Sequence, residues 1–290
     1  DGSPLAEVSL SCAEEMAGRM GSQIILLGVL ESGSGRYENL YRCYLESRSE
    51  ILGRRVLESG GPDITVTPLL VKEAEEDDLI AEESPGKDVG HPAVDIINAA
   101  AANGASIILM ATHGYSGLRR MALSSVADSI IRGCGLPVLL VRPDSQAVEN
   151  HGKICRSIVI PLDGSVMAES ALRVVEEMAE KMCGQGMKVN LIHVAPENRV
   201  ATTDEPSQVF LDHVEDPAWC KVEEKAELYF QQAGEYLKKS ANKLESAGVT
   251  VSYTVRAGKP EEEIAGLVTE TGAATVVMAC HARTGLGRYI

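Results

Sequence analysis

The sequence predicts an α/β protein made of two tandem domains, each a parallel β-sheet doubly wound by helices. Three observations carry this. The apolar runs are short and continuous, as in Ile24-Ile25-Leu26-Leu27. A strand with no polar alternation is buried on both faces, as in a parallel sheet covered by helices. These runs alternate with stretches of helical apolar spacing, the order that builds a doubly wound fold. The whole alternation then occurs twice in 290 residues, a length that suits two domains of about 140 residues each.

In the first copy, residues 23–30 read as a strand, 36–59 as a helix and 64–71 as a strand. Residues 91–103 read as a helix, 106–111 as a strand, 124–133 as a helix and 137–141 as a strand. The duplication is legible residue by residue. Asp1-Gly2-Ser3 followed by Ala6-Glu7 recurs as Asp163-Gly164-Ser165 followed by Ala168-Glu169. Each copy opens a helical pattern, Leu5, Val8, Ala13, Met16 and Ala17 in one and Ala171, Leu172, Val175, Met178 and Ala179 in the other. Gly90-His91-Pro92 recurs as Gly258-Lys259-Pro260. Ile107-Ile108-Leu109-Met110-Ala111-Thr112-His113-Gly114 recurs as Thr275-Val276-Val277-Met278-Ala279-Cys280-His281-Ala282. A repeat this long is a duplicated domain, since solenoid units are much shorter. The domains are 1–143 and 153–290, joined by a polar linker over 143–152. The second domain begins with a strand, 154–162, that leads into Asp163, whereas Asp1 has no such strand before it. At the far end Ile290 falls just before the position equivalent to Ser124. The expectation is therefore an incomplete chain, with the first strand of one domain and the last helix and strand of the other missing.

Apolar content is 44% and aromatic content 4%, so the cores are built from aliphatic residues. The formal charge of −15 argues against nucleic-acid binding, which needs a basic face, and suits solubility. No run reaches the roughly 18 apolar residues of a membrane span, and no signal peptide is visible. The seven cysteines are dispersed without a Cys-x-x-Cys pair, which fits a reducing compartment with thiols packed as small hydrophobes. Two acidic insertions, 73–88 and 204–224, are expected to be solvated loops. They lack the alternating Asp pattern of a calcium loop, and no metal site is assigned.

The chemistry concentrates where the strand 106–111 runs through a small-residue loop into the helix 124–133. Free backbone N–H groups and the positive end of the helix dipole there favour an anion. The spacing is Ala111, two residues, Gly114, nine residues, then Ser124-Ser125. It resembles the nucleotide-phosphate loop of the universal stress protein family, written G-x2-G-x9-G-(S/T). Gly114 and Ser125 match, and Ala111 and Ser124 stand where the family has glycine. The resemblance implies a Rossmann-like, adenine nucleotide alpha hydrolase-like fold. It also implies a cytoplasmic, stress-associated protein, often dimeric, that binds ATP or another adenine nucleotide, with or without Mg. By the same resemblance Asp1 and Asp163 contact the adenine or ribose end, and the backbone at Val29 and Val194 lies beside the adenine.

Read on their own, Asp1 and Asp163 sit where a helix begins and would cap it through their carboxylates, and the two valines are plain core. A loop backbone that approaches phosphate leaves no room for a Cβ, which suits Gly114. Ser124 has two readings. At positive φ it would cost about 1 kcal/mol, and at ordinary φ it would be an N-cap that adds a hydroxyl, as Ser125 does. Arg119 and Arg120 lie inside the loop and could offset phosphate charge. In the second domain Ala282 replaces the glycine and the serine end of the loop is absent, so that domain is expected to be the weaker binder, and Cys280 takes the place of Thr112. His113 and His281 have no nucleophile or Gly-x-Ser-x-Gly elbow to work with, and no catalytic residue is assigned. Three functions follow: a nucleotide-binding sensor or regulator, a non-binding module for an unidentified protein partner, and a hydrolase or nucleotidyl-transfer enzyme. The lack of a nucleophile–base set disfavours the third. As family dimers do, the two domains, or two chains, would meet through edge strands such as 137–141.

Overall fold

The computed structural model describes residues 2–30, 33–72, 91–112, 124–142, 154, 156–183, 186–195 and 217–280, with backbone alone for 217–226. The linker, the insertion 73–88, residues 204–216 of the other insertion, Asp1, His113, Gly114, Arg119, Arg120, His281 and Ala282 lie outside the described residues. By contacts the chain divides into two compact units, one built on residues 1–151 and one on 152–280.

Unit 1 runs α1 (Pro4–Met20), β1 (Ile24–Leu30), a 3-10 turn (Gly35–Tyr37), α2 (Glu38–Glu58), β2 (Val66–Lys72), α3 (Pro92–Ala102), β3 (Ile108–Ala111), α4 (Ser125–Gly133) and β4 (Val138–Val141). The helix limits follow from local chemistry. Ser3 caps α1 by accepting from the Ala6 amide at 3.1 Å, Pro4 follows, and Gly21 at φ 63° closes the helix on the Ala17 carbonyl. That φ is open to glycine at no steric cost. β1 pairs in parallel with β2, Ile24 opposite Val66 through Leu30 opposite Lys72. β3 pairs in parallel with β4, Ile108 opposite Val138 through Ala111 opposite Val141. Among the described residues these form two two-stranded parallel sheets, with no hydrogen bonds between β1 and β3. Two small cores result. Ala17, Val56 and Ile64 pack with Ile24 and Val66, and Ala93, Ile108 and Ile130 pack under α3 and α4.

Unit 2 runs β5 (Ser157–Pro161), α5 (Ser170–Met178), a π-helical turn (Ala179–Cys183), β6 (Lys188–Ala195), α6 (Pro217–Glu245), β7 (Thr250–Ala257), α7 (Pro260–Thr271) and β8 (Thr275–Val276). Its strands form one parallel sheet in the order β7-β6-β5-β8. Ile158, Val159, Ile160, Leu191 and Ile192 are fully buried, as a central strand and its neighbour should be when helices cover both faces. One expectation is corrected. Residues 217–224 of the second acidic insertion begin α6, since Glu and Lys at helical spacing favour a solvated helix as readily as a loop.

Cys12 is buried in α1, where burial pushes its thiol pKa up, so it packs as a small apolar group. Cys280 is exposed. No helix among the described residues is long and apolar enough to cross a membrane.

Candidate nucleotide-phosphate site

In unit 1 the candidate site forms at the C-terminal end of β3. Ala111, the last residue of the strand, is buried opposite Val141. The next amide, Thr112 N–H, extends the ladder to the Val141 carbonyl at 3.0 Å. The Thr112 carbonyl then accepts from the Ser124 amide at 3.1 Å. The strand end and the helix start are thus one hydrogen bond apart, with the loop 113–123 between them. Ser124 has φ −64° and ψ 150°, and its Oγ accepts from the Ala127 amide at 3.2 Å. Of its two readings, the N-cap at ordinary φ is the one observed. Ser125 is the first helical residue and is exposed, so its hydroxyl is free to face solvent or a ligand. Asp128 adds a negative charge in the first turn, and Arg132 offsets it at 2.9 Å, holding the Asp128 carboxyl below its usual pKa.

The Asp-Gly-Ser turns behave differently from the sequence expectation. The cap of α1 is Ser3, and in unit 2 the Asp163 carboxylate accepts from the Ser165 amide at 2.8 Å while Ser165 Oγ accepts from the Ala168 amide at 3.0 Å. The helix-capping role expected of Asp163 is corrected. A short Asp side chain reaches the amide two residues on and forms an Asx turn, while α5 itself begins at Ser170 after Glu169, without a side-chain cap. In unit 1 the Tyr44 ring lies against this turn, 3.6 Å from where a Cβ on Gly2 would stand. Its hydroxyl donates to Glu7 at 2.6 Å, and Arg48 pairs with the same carboxylate at 2.9 Å. Burial, with Glu7 second, pushes the Tyr44 phenol pKa up to about 12.

Val29 is half-buried on β1 opposite Val71, and Val194 is half-buried on β6 opposite Arg256. The structure thus gathers Ala111, Ser124 and Ser125 at one end of β3 and leaves Val29 on the other strand pair. In unit 2 Asp163 and Val194 lie at the ends of neighbouring strands. Sequence reading passed over the residue that ties those ends together. His193 is 8% exposed. Its Nδ1 donates to the Leu162 carbonyl at 2.8 Å, and its Nε2 accepts from the Tyr229 hydroxyl at 2.7 Å. A carbonyl only accepts, which fixes the Nδ1–H tautomer. The available signal was an ionisable residue inside the apolar run Leu191-Ile192-His193-Val194. A cleft of about 270 Å³ between α1 and α2, lined by Glu7, Arg48 and Arg55 among others, contains none of the predicted site residues. Among the described residues no three His, Cys, Asp or Glu side chains gather as a metal site would require.

Parallel strands with a strand-to-helix loop at their C-terminal ends define a class, the doubly wound α/β proteins, here in tandem. The profile of the universal stress protein family matches residues 1–142 and again 155–290, so the chain belongs to that family. Solved structures share the fold. A universal stress protein from Archaeoglobus fulgidus DSM 4304 has a TM-score of 0.57 and 17% identity over 94% of this chain and 83% of its own. A functionally unknown protein from Pseudomonas aeruginosa PAO1 has a TM-score of 0.52 and 14% identity, covering 99% of this chain and 82% of its own. A putative universal stress protein from Pseudomonas aeruginosa UCBPP-PA14 has a TM-score of 0.50 and 14% identity, covering 96% and 79%. No curated protein matches.

Proposed function

We propose that unit 1 binds ATP or another adenine nucleotide, with or without Mg, and that the chain acts as a cytoplasmic sensor or regulator in a stress response. The observation that carries this reading is Ser124. It caps α4 where the chain returns to the end of β3, so the helix start, whose first amides lack intrahelical partners, and the exposed Ser125 lie beside that strand end. Such a helix start attracts phosphate through its dipole and its N–H groups. Gly114 would let the loop backbone approach phosphate oxygens, and Asp1 and Val29 would hold the sugar and base. In unit 2 Ala282 takes the glycine's place, so Asp163 and Val194 belong to the weaker site. No residue is assigned to hydrolysis.

Calorimetric titration of ATP into the chain and into Gly114→Val tests the assignment. The variant is expected to bind at least about tenfold more weakly, a loss near 1.4 kcal/mol, and equal affinity would sink it. The replacement of two family glycines by Ala111 and Ser124 favours a second reading, a protein-interaction module without nucleotide. That reading gains if the unaltered chain gives no heat with ATP. Under either reading the free edge of β4 would pair with another copy or unit. Leu139→Lys should then abolish the dimer in sedimentation velocity.

A further inference from the structure

In unit 1 a groove runs between α2 and β2. Glu46, Ser49, Glu50 and Gly53 line it from the helix at positions i, i+3, i+4 and i+7, which share one face. Ile64, Val66 and Pro68 line it from the other side, alternating along the chain into β2 and so sharing one face of the strand. The groove is open and measures about 390 Å³. It exists because the two helical residues nearest the strand, Ser49 and Gly53, are small. Unit 2 shows the same place filled. The buried residues Leu45, Ser49, Leu52 and Val56 of α2 have the spacing of Ala233, Leu237, Ser240 and Leu244 of α6. In that register Leu237 stands for Ser49 and Ala241 for Gly53, and both are buried. The groove of unit 1 also holds polar groups without partners. Ser49 is 6% exposed, and its buried Oγ makes no hydrogen bond, an uncommon state for a buried hydroxyl. Glu46 and Glu50 are exposed, and among the described residues neither is in an ion pair. By contrast, Glu7, Glu14, Glu15 and Glu38 of α1 and α2 each hold an arginine or a lysine.

We propose that this groove binds an aliphatic polyamine. Side chains one helical turn apart have Cβ atoms about 5–6 Å from each other, a span that two ammonium groups on a short alkyl chain match. Glu46 and Glu50 each take one ammonium. An ammonium has three donors and no acceptor, so it can donate to Ser49 Oγ and to a carboxylate together. The methylenes between the ammonium groups lie on Ile64, Val66 and Pro68, which gain by leaving water. A bare inorganic cation would use the carboxylates and leave the apolar wall idle. The chain's formal charge of −15 raises the local concentration of cations, and the groove selects among them. This inference does not depend on nucleotide binding.

The test titrates spermidine into the full chain by calorimetry at about 0.15 M salt, where exposed charges more than about 8 Å apart are screened from each other. One spermidine per chain is expected. Glu46→Gln combined with Glu50→Gln should weaken binding at least about tenfold. Ser49→Leu combined with Gly53→Ala keeps every charge but fills the groove as Leu237 and Ala241 do, and should abolish binding. The added Cβ at Gly53 would make ordinary contact, 3.8 Å from Val66 Cγ2. Glu245→Gln, at an exposed carboxylate of α6, should change nothing. Amide hydrogen exchange of the parent chain locates the site independently of any variant, and spermidine should slow it over 46–53 and 64–68. Urea unfolding verifies that each variant is folded. N-acetyl-lysine amide, which offers one ammonium, should bind at least about tenfold more weakly than spermidine. The proposal is overturned if spermidine gives no heat, or if Glu245→Gln weakens it as much as the Glu46 and Glu50 changes do. It is also overturned if the folded, filled variant binds as the parent does, or if the slowed amides lie away from α2 and β2. Equal affinity for N-acetyl-lysine amide overturns it too, since the groove would then suit the lysine of a partner protein.

Discussion

Replacing His193 by leucine should destabilise unit 2, because the ring makes two hydrogen bonds in a buried place. His193→Leu removes the ring that bonds the Leu162 carbonyl at 2.8 Å and the Tyr229 hydroxyl at 2.7 Å in the native chain. A buried polar group left without a partner costs about 1–3 kcal/mol. With the hydroxyl only half-buried, the sum comes to about 3 kcal/mol. Tyr229→Phe removes only the donor to Nε2 and should cost about 1 kcal/mol. In the double variant the phenol is already gone, so its loss is not counted twice, and the two changes should couple by about 1 kcal/mol. Urea unfolding followed by fluorescence reports on this unit, since Trp219, the one tryptophan, belongs to α6. The midpoint should fall with the slope unchanged. If the two substitutions add without coupling, the His193–Tyr229 bond contributes nothing and the reasoning fails.

Gly61→Ala should destabilise unit 1 by about 1–3 kcal/mol through overpacking. The new Cβ would stand 2.8 Å from Val56 Cγ1, 2.9 Å from the Val56 carbonyl and 3.2 Å from Gly18 Cα. Gly135→Ala, with open space around it, should stay within about 0.5 kcal/mol in the same urea titration. The Tyr44 phenol should stay protonated until pH approaches 12 in an ultraviolet difference titration, and Glu7→Gln should bring its midpoint down. Because its folded pKa is raised above the unfolded value of 10, its contribution to stability is complete below pH 10 and is lost as pH rises toward 12. Earlier loss in the parent chain would show that the phenol is not held by Glu7.

The order of strands and helices was legible because each strand is a continuous apolar run and each helix keeps its 3.6-residue spacing. The last run of unit 2 yields only Thr275–Val276 as strand. Which strands pair was not legible, because pairing across a parallel sheet is decided by residues far apart in the chain. At the candidate site, Ala111 ends β3 and Ser125 opens α4. The role of Ser124 turned on a φ angle that spacing does not encode, and only the Ala127 amide in place decided it. Asp163 could reach either the helix or its own turn, and the shorter path won. His193 was hidden because apolar patterning treats a histidine in a buried run as an interruption to be tolerated.

The hydrogen bond from the Ser124 amide to the Thr112 carbonyl has a consequence for how such a chain can change over generations. It clamps the two stems of the loop 113–123 together, independently of what the loop contains. For stems so held, even doubling the length of the intervening segment costs only about 0.6 kcal/mol in closure entropy. Glycines there can become alanine or serine, and residues can be gained or lost, while β3, α4 and β4 keep their places. A ligand specificity written into that segment can be erased or rewritten without unfolding the domain that displays it. The fold can therefore outlast any one ligand, and the two copies within a single chain are free to diverge in what they bind.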